Sequence, residues 1–143
     1  MEQTYAIELK NITKRFGKIV ANDGINLKVK RGEILSLLGE NGSGKTTLMN
    51  MISGIYFPDE GRILVDGKAV SIRSPKDSFD LGIGMIHQHF KLIDVMTAAE
   101  NIILGLKGNA VLDMKKVHKD IQELVDRYGF DLDPAQKVYT MSV

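Results

Sequence analysis

The sequence predicts an α/β fold that is rich in β-strands up to about residue 90 and helical over the rest of the chain. Three observations predict it: alternating apolar and polar residues near the start, a nearly apolar run that ends at a glycine-rich loop, and helical periodicity after residue 91. A chain of 143 residues can bury about two-thirds of its unfolded surface, enough for a core without disulfides. We therefore expect one domain in two parts, residues 1–90 and residues 91–143.

The predicted strands are of two kinds. Residues 6–10 and 25–29 alternate apolar and polar side chains, which is typical of strands with one buried face. Residues 34–38 are nearly apolar throughout and end at Gly39, which is typical of a strand covered on both faces in a parallel sheet. Residues 83–86 form a similar short run and predict another core strand. The two kinds together imply a mixed sheet system.

Turn and stop signals locate a hairpin and a first helix. The Asp66-Gly67 pair predicts a tight hairpin turn after the apolar run 63–65. A helix is expected to begin after Gly44 and to stop at Gly54. Its apolar positions at helical spacing are Leu48, Met51, Ile52 and Ile55.

Capping signals locate two further helices. Thr97 and Glu100 stand three residues apart, in the pattern of a capping box at a helix start. Asp113 can cap another helix, which Gly129 would end. The apolar stripes of these two helices are Ala99, Ile102, Ile103 and Leu106, and Val117, Ile121, Leu124, Val125 and Tyr128.

Composition and charge exclude several function classes. With 19 Lys+Arg against 18 Asp+Glu the formal net charge is +1, too balanced for a protein that binds nucleic acid by neutralising many phosphates. The chain has no cysteine, which excludes disulfides, thiolate metal sites and a catalytic cysteine. No apolar run is long enough to span a bilayer, so we expect no direct membrane insertion. The first ten residues, MEQTYAIELK, lack the basic-then-apolar order of a signal peptide.

Residues 39–46, GENGSGKT, match the phosphate-binding loop pattern G-x-x-x-x-G-K-S/T, also called the Walker A motif. The loop follows a predicted apolar strand and opens a predicted helix, where backbone N–H groups and the positive helix end can hold phosphate. Lys45 would reach the β- and γ-phosphates, and the Thr46 hydroxyl would ligate Mg²⁺. A glycine-rich turn with a solvated lysine is the alternative interpretation, and the agreement of motif and context disfavours it.

An ordered set of motifs along the chain resembles the ATP-binding subunits of ABC transporters. The set comprises Thr13-Lys14-Arg15-Phe16-Gly17, residues 38–48 around the loop, Pro58-Asp59-Glu60-Gly61, Gln88 and Glu100-Asn101. The resemblance implies a three-layer α/β P-loop NTPase core of the ABC type, an antiparallel β subdomain and an incomplete α-helical subdomain. It also implies ATP and Mg²⁺ as cofactors.

The resemblance also implies the site residues. Phe16 matches the aromatic residue that stacks on adenine, although a core phenylalanine beside a glycine turn is the alternative. Thr47 matches the residue at the α-phosphate, and Gln88 matches the glutamine that touches Mg²⁺ or water and moves with the transport cycle. The nucleotide-binding set is then Phe16, Gly39, Asn41, Gly42, Ser43, Gly44, Lys45, Thr46 and Thr47, with Thr46 and Gln88 at the metal and Gln88 as the catalytic candidate. His87 and His89 flank Gln88, and both are interpreted as polar packing or contact residues.

Part of the family pattern is missing from the sequence. The chain ends at Met141-Ser142-Val143, which resemble the start of a signature motif, and the apolar strand ending in Asp-Glu does not follow. The run Ile63-Leu64-Val65-Asp66 is similar to such a strand, but Gly67 follows it and favours the hairpin. We therefore expect these 143 residues to bind nucleotide without appreciable turnover, and the isolated chain to swap domains or aggregate.

The expected function is that of the ATP-binding subunit of a transporter that imports a simple sugar or a nucleoside. The subfamily is suggested by GMIHQHF at residues 84–90 and TAAENIILG at residues 97–105. Expected partners are transmembrane permease subunits, touched by residues 88–100, and a second ATP-binding domain, at the cytoplasmic face of the cell membrane. The alternatives are a truncated non-hydrolytic nucleotide-binding or regulatory module and a non-transport ABC-type ATPase. A GTPase or a small-molecule kinase is disfavoured because the chain lacks N-K-x-D and a recognisable lid.

Overall fold

The computed structural model of the chain describes residues 5–87, 91–106 and 112–141. It divides into two compact units, Met1–Ile86 and His87–Val143. Of the helices in the described ranges, none combines the length and the apolarity that a membrane span requires.

The first unit is built on a four-stranded antiparallel sheet. Its strands are β1 (Tyr5–Phe16), β2 (Ile19–Lys30), β3 (Glu60–Val65) and β4 (Lys68–Val70), in the order β2-β1-β3-β4. β1 and β2 pair from Phe16 with Ile19 to Tyr5 with Lys30, with several register shifts along the ladder. The alternating patterns at residues 6–10 and 25–29 lie within these two long strands, which confirms those predictions.

Helix α1 (Lys45–Ile52) covers one face of this sheet. Burial of apolar surface drives this packing, because the helix contributes three side chains to a core that is closed to solvent. The buried residues of that core are Leu9, Ile12, Leu48, Met51, Ile52, Ile63 and Ile72. The helix ends as predicted, since Ser53 is its C-cap and Gly54 follows with a left-handed φ of 77°.

The hairpin between β3 and β4 has the predicted turn. Asp66 and Gly67 both adopt positive φ, 50° and 77°, and Val65 pairs with Lys68 across them. Two central residues with positive φ are typical of the type I′ turn that Asp-Gly favours. The hairpin interpretation of residues 63–67 is therefore confirmed.

The two predicted core strands are wrong as strands in this structure. The ladders of the described residues belong to the single antiparallel sheet, and neither residues 34–38 nor residues 83–86 take part in it. The physical reason is that a strand exists only as one side of a hydrogen-bonded pair. Ile34 and Leu38 are 97% and 92% exposed, so the apolar run is not covered on both faces.

A short helix, which the sequence analysis does not predict, follows β4. Helix α2 (Pro75–Asp80) begins at Ser74, whose Oγ accepts a hydrogen bond from the Asp77 backbone N–H at 3.2 Å. Pro75 takes the first helical position, where a missing N–H costs nothing. The buried Ser78 hydroxyl donates to the carbonyl oxygen of Ile52 at 3.0 Å and so joins α2 to the end of α1.

The second unit contains the two predicted helices and a short 3₁₀ helix. Helix α3 (Ala98–Ile103) starts at the predicted capping box, and helix α4 (Met114–Tyr128) is capped by Asp113 and followed by Gly129 with a left-handed φ of 67°. The 3₁₀ helix spans Val138–Thr140. A small core joins the helices and is made by Ala99, Ile121 and Val125, with Ile103, Val117 and Leu132 packed against it.

Candidate nucleotide-binding site

Residues 39–44 form a loop that leads directly into α1. The ammonium group of Lys45 donates to the carbonyl oxygens of Gly39 and Glu40, both at 2.7 Å, and to the Ser43 hydroxyl at 3.2 Å. The loop therefore curls around the lysine head group. The ammonium group can exchange these neutral acceptors for the oxygens of a phosphate group, which accept stronger hydrogen bonds because they carry negative charge.

Gly44 joins this loop to the sheet. It is the N-cap residue of α1, with φ 85°, and a Cβ at this position would lie 2.2 Å from the carbonyl oxygen of Ala21 on β2. The neighbouring Asn22 is buried and donates from Nδ2 to the Gly44 carbonyl oxygen at 3.3 Å. Its Oδ1 is buried without a hydrogen-bond partner in the structure. Strand β2 thus fixes where the loop ends and the helix begins.

The loop and the first turn of α1 present their polar groups outward. Asn41, Gly42, Ser43 and Thr46 are exposed, while Thr47 is half-buried. The first intrahelical bond runs from the Leu48 N–H to the Gly44 carbonyl oxygen at 2.9 Å. The N–H groups ahead of it in the first turn have no partner within the helix and can donate to an anion.

Phe16 lies at the end of β1, a few ladder positions from this loop. Lys14 pairs with Asn22, and Phe16 pairs with Ile19, so the sheet brings the aromatic ring near the part of β2 that touches Gly44. The Phe16 side chain is 41% exposed, which excludes the alternative of a core phenylalanine. Its ring makes an edge contact with Tyr56, with centroids 5.2 Å apart and planes at 73°.

Charged residues fix the strand end that carries Phe16. Asp59 accepts from the Arg15 backbone N–H at 2.6 Å and from the Lys14 ammonium at 3.0 Å. These two contacts lower the pKa of the Asp59 carboxyl below its usual value. The Asp59 backbone N–H in turn donates to the Thr13 carbonyl oxygen at 2.8 Å, and the Lys14 ammonium lies 5.4 Å from the centroid of the Phe16 ring.

The catalytic candidate Gln88 lies outside the described residues, as does His89. His87, which precedes them, is half-buried. Within the ranges that the structure describes, no three His, Asp or Glu side chains come together as a metal site requires. The loop, Lys45 and Phe16 are therefore the predicted site residues whose placement the structure gives in detail.

Sequence reasoning missed three residues at the site. Asn22 gave no signal, because its contact with Gly44 joins residues 22 positions apart. Tyr56 looked like an ordinary residue after a helix, and only the folded chain brings it to Phe16. Asp59 was noticed as part of a motif, but its bonds to Lys14 and Arg15 are a tertiary feature.

Comparison with known proteins adds a family and several relatives. A family model described as ABC transporter matches residues 22–143. The guanosine import ATP-binding protein NupO of Bacillus subtilis (strain 168) is 52% identical over 141 residues, which cover 97% of this chain and 28% of the relative. The nucleoside import ATP-binding protein NupA of Lactococcus lactis subsp. cremoris (strain MG1363) is 49% identical over 145 residues, covering 100% of this chain and 29% of the relative. The chain thus spans less than a third of the length of these curated relatives.

Solved structures with a similar fold are ATP-binding cassettes. A nucleotide-free cassette from an ABC transporter matches with a TM-score of 0.80 and 25% identity, covering 96% of this chain and 59% of that one. A dimeric cassette, MJ0796, in a post-hydrolysis state bound to ADP and Pi matches with a TM-score of 0.72 and 29% identity, covering 95% of this chain and 63% of that one.

Proposed function

Because the chain belongs to the ABC transporter family and has the α/β P-loop fold of its ATP-binding cassettes, we propose that it binds ATP for an importer of nucleosides. The observation that carries the proposal is the loop around Lys45, in which an ammonium group is held by exchangeable acceptors at the start of a helix. Import of a nucleoside is favoured over import of a simple sugar because NupO and NupA, named for guanosine and nucleoside import, are 52% and 49% identical to the chain. The glucose import ATP-binding protein TsgD13 of Haloferax volcanii is 41% identical.

The residues of the loop suit a nucleotide triphosphate. Gly39 keeps a side chain out of the space around the lysine, since a Cβ at this position would lie 2.8 Å from the Ser43 hydroxyl and 3.7 Å from the Lys45 ammonium. The backbone N–H groups of the exposed residues Asn41 and Gly42 and of the first turn of α1 would donate to phosphate oxygens, with Lys45 adding a positive charge. Thr47 would bond the α-phosphate, and Phe16 would stack on the base.

Mg²⁺ would be held by the Thr46 hydroxyl together with phosphate oxygens, and Gln88 is proposed as a second contact. The exposed Thr46 side chain at the first turn of α1 fits this assignment, because Mg²⁺ prefers oxygen ligands and keeps several waters. When bound, the ion neutralises charge on the β- and γ-phosphates.

The partners and the location are also proposals. Import ATP-binding proteins of this family work with transmembrane permease subunits and pair with a second ATP-binding domain, as the dimeric cassette illustrates. We place the chain at the cytoplasmic face of the membrane, attached through the permease at residues 88–100. Residues 1–90 carry the nucleotide loop in this assignment, and the permease contact at residues 88–100 spans the boundary with residues 91–143.

ATP binding by the intact protein tests the proposed site. Lys45→Ala is expected to weaken ATP binding by roughly tenfold or more, which corresponds to loss of a bond to a charged group. Lys119→Ala is the matched control, because it removes the same charge from an exposed position on α4. Isothermal titration calorimetry with ATP gives the affinities of the two variants. Equal ATP affinities of the two variants would contradict the assignment.

Uptake by cells tests the proposed solute. A strain that lacks the gene is expected to lose uptake of labelled guanosine and to regain it with the wild-type gene but not with Lys45→Ala. Labelled glucose and ribose serve as parallel substrates in the same strains. Loss of sugar uptake with normal guanosine uptake would reverse the order of the two solute classes.

A further inference from the structure

We infer that Tyr56 is a positioning residue that holds the ring of Phe16 in the orientation for stacking on the nucleotide base. The inference rests on the proposed function, because it assigns a role within the same site. It goes beyond that function by adding a residue that neither the motifs nor the comparisons single out.

The first observation is the geometry of the aromatic pair. The two ring centroids are 5.2 Å apart and the ring planes meet at 73°, which is the edge-to-face arrangement that aromatic quadrupoles favour. This arrangement restrains the rotation of the Phe16 ring plane without covering the ring completely, since Phe16 remains 41% exposed. A restrained but accessible ring is what stacking on a base requires.

The second observation is that the backbone around Phe16 and its ladder partner give the ring little enclosure. Phe16 is the last residue of β1, its ladder partner is Ile19, and Gly17 follows in a turn with φ 58°. Its partner Ile19 is 70% exposed and so gives little enclosing surface. An unrestrained aromatic ring at such a strand end would sample several rotamers. The conformational entropy lost when the base orders that ring would weaken base binding.

The third observation is that Tyr56 is itself fixed to the helix that closes the phosphate loop. The backbone N–H groups of Ile55 and Tyr56 both donate to the carbonyl oxygen of Asn50 on α1, at 2.8 and 3.1 Å. The adjacent Gly54 is so close to the Ser74 backbone that a Cβ would lie 2.2 Å from its carbonyl oxygen. Tyr56 therefore connects the Phe16 ring, on which the base would stack, to helix α1, which begins at the phosphate loop.

Lys14 makes a further contact with the ring. Its ammonium lies 5.4 Å from the Phe16 centroid and 3.0 Å from the Asp59 carboxylate that holds it there. The contact is a single cation near one ring, so it adds to the restraint that Tyr56 gives but does not fix the plane of the Phe16 ring as a rigid ring edge does.

The test compares two ligands of the intact protein, ATP and inorganic tripolyphosphate, which has the phosphates but no base. Tyr56→Ala is expected to weaken ATP binding roughly 2- to 10-fold, the range that loss of one aromatic pair gives, and to leave tripolyphosphate binding unchanged. Tyr56→Phe keeps the ring and is expected to retain ATP affinity. Tyr139→Ala removes an exposed tyrosine of the second unit and serves as the control.

A double-mutant cycle separates positioning from a general structural role. If Tyr56 acts through Phe16, Tyr56→Ala has no further effect on ATP affinity in a Phe16→Leu protein. Should Tyr56→Ala fail to fold, Tyr56→Leu against Tyr56→Phe makes the same comparison with the apolar bulk retained.

Each outcome decides the inference. Equal weakening of ATP and tripolyphosphate, or additive effects in the cycle, would mean that Tyr56 only supports the fold, and no weakening would overturn its role altogether. Failure of the wild-type protein to bind either ligand would overturn the proposed function itself, a result distinct from failure of the Tyr56 variants alone.

Discussion

Gly44 lies where the phosphate loop, helix α1 and strand β2 meet, and its backbone approaches β2 more closely than a residue with a side chain could. Its φ of 85° is strained for any other residue, and the nearest atom to a Cβ would be a fixed backbone oxygen of Ala21 at 2.2 Å. Gly42 in the same loop has a similar φ of 83°, yet no atom lies within 4 Å of its Cβ position. The two glycines therefore separate conformational strain from steric contact.

We expect Gly44→Ala to destabilise the fold clearly more than Gly42→Ala. Gly42→Ala adds only the strain of a left-handed residue, about 1–2 kcal/mol, whereas Gly44→Ala must also push β2 away from the loop. Urea unfolding without nucleotide measures both free energies. Equal losses would mean that the contact between Gly44 and Ala21 contributes nothing to stability.

A second prediction at this scale concerns the Thr46 hydroxyl. In the presence of Mg²⁺, Thr46→Ala is expected to weaken ATP binding on the order of tenfold, while Thr46→Ser keeps the hydroxyl and the affinity. With the metal removed by EDTA, the three proteins are expected to bind ATP alike. A loss for Thr46→Ala that persists in EDTA would assign the hydroxyl to phosphate instead of metal.

Single helices are the scale at which the sequence was most informative. The starts of α3 and α4 and the ends of α1 and α4 follow signals carried by one to four adjacent residues, such as the Thr97 and Glu100 pair. The signals for α2 are equally local, a capping Ser74 and Pro75 at the first helical position, although the sequence analysis does not predict this helix. A local signal of this kind therefore marks at least one end of each of the four α-helices in the described part of the chain.

Strands and site contacts were harder to predict because they depend on residues that are far apart in sequence. The apolar run at 34–38 has the composition of a core strand, yet the described residues supply no strand to pair with it. The phosphate loop was predictable because its function is written in eight consecutive residues, whereas Tyr56 reaches Phe16 only through the packing of α1 on the sheet.

The capping box of α3 predicts a pH dependence of stability. The Thr97 backbone N–H, at 2.7 Å, and then its hydroxyl, at 3.1 Å, lower the pKa of Glu100 below its usual value near 4.5, with smaller contributions from Lys137 and His118. Because the pKa is lower in the folded state, the charged carboxylate stabilises the fold above pH ~4.5. That stabilisation is lost as the pH falls through the folded pKa.

Glu100→Gln should therefore lower the free energy of unfolding near neutral pH. In acid, the difference in unfolding free energy from wild type should disappear. The amide retains the shape of the capping box but not its charge, so only the charge-dependent part is removed. Denaturant unfolding between pH 3 and 7, compared with Glu123→Gln on the exposed face of α4, measures the difference. A constant difference between Glu100→Gln and wild type across this range would contradict the charge argument.

At the scale of the whole molecule, the two units have cores of different kinds. The first unit packs α1 on an antiparallel sheet, whereas the second relies on a few apolar side chains and on backbone bonds between its segments. Among those bonds, the Ala98 N–H donates to the Gln136 carbonyl oxygen and the Val138 N–H to the Met96 carbonyl oxygen, at 2.9 and 3.0 Å. In the second unit, the segment proposed to face a permease is thus tied to the segment around the 3₁₀ helix.

The exposed apolar run of the first unit leads to a prediction about association. Ile34 and Leu38 are 97% and 92% exposed in a segment that lies outside the sheet, and such surface favours contact between chains. The 143-residue chain is therefore expected to self-associate as its concentration rises, and the double variant Ile34→Thr with Leu38→Thr is expected to reduce this association.

Sedimentation velocity over a concentration series measures the weight-average mass of both proteins. Val95→Thr, which removes one exposed apolar residue from the second unit, is expected to associate like wild type. The apolar run is not the surface through which the chains associate if the unmodified chain stays monomeric throughout the series, or if the double variant associates as strongly as the unmodified chain.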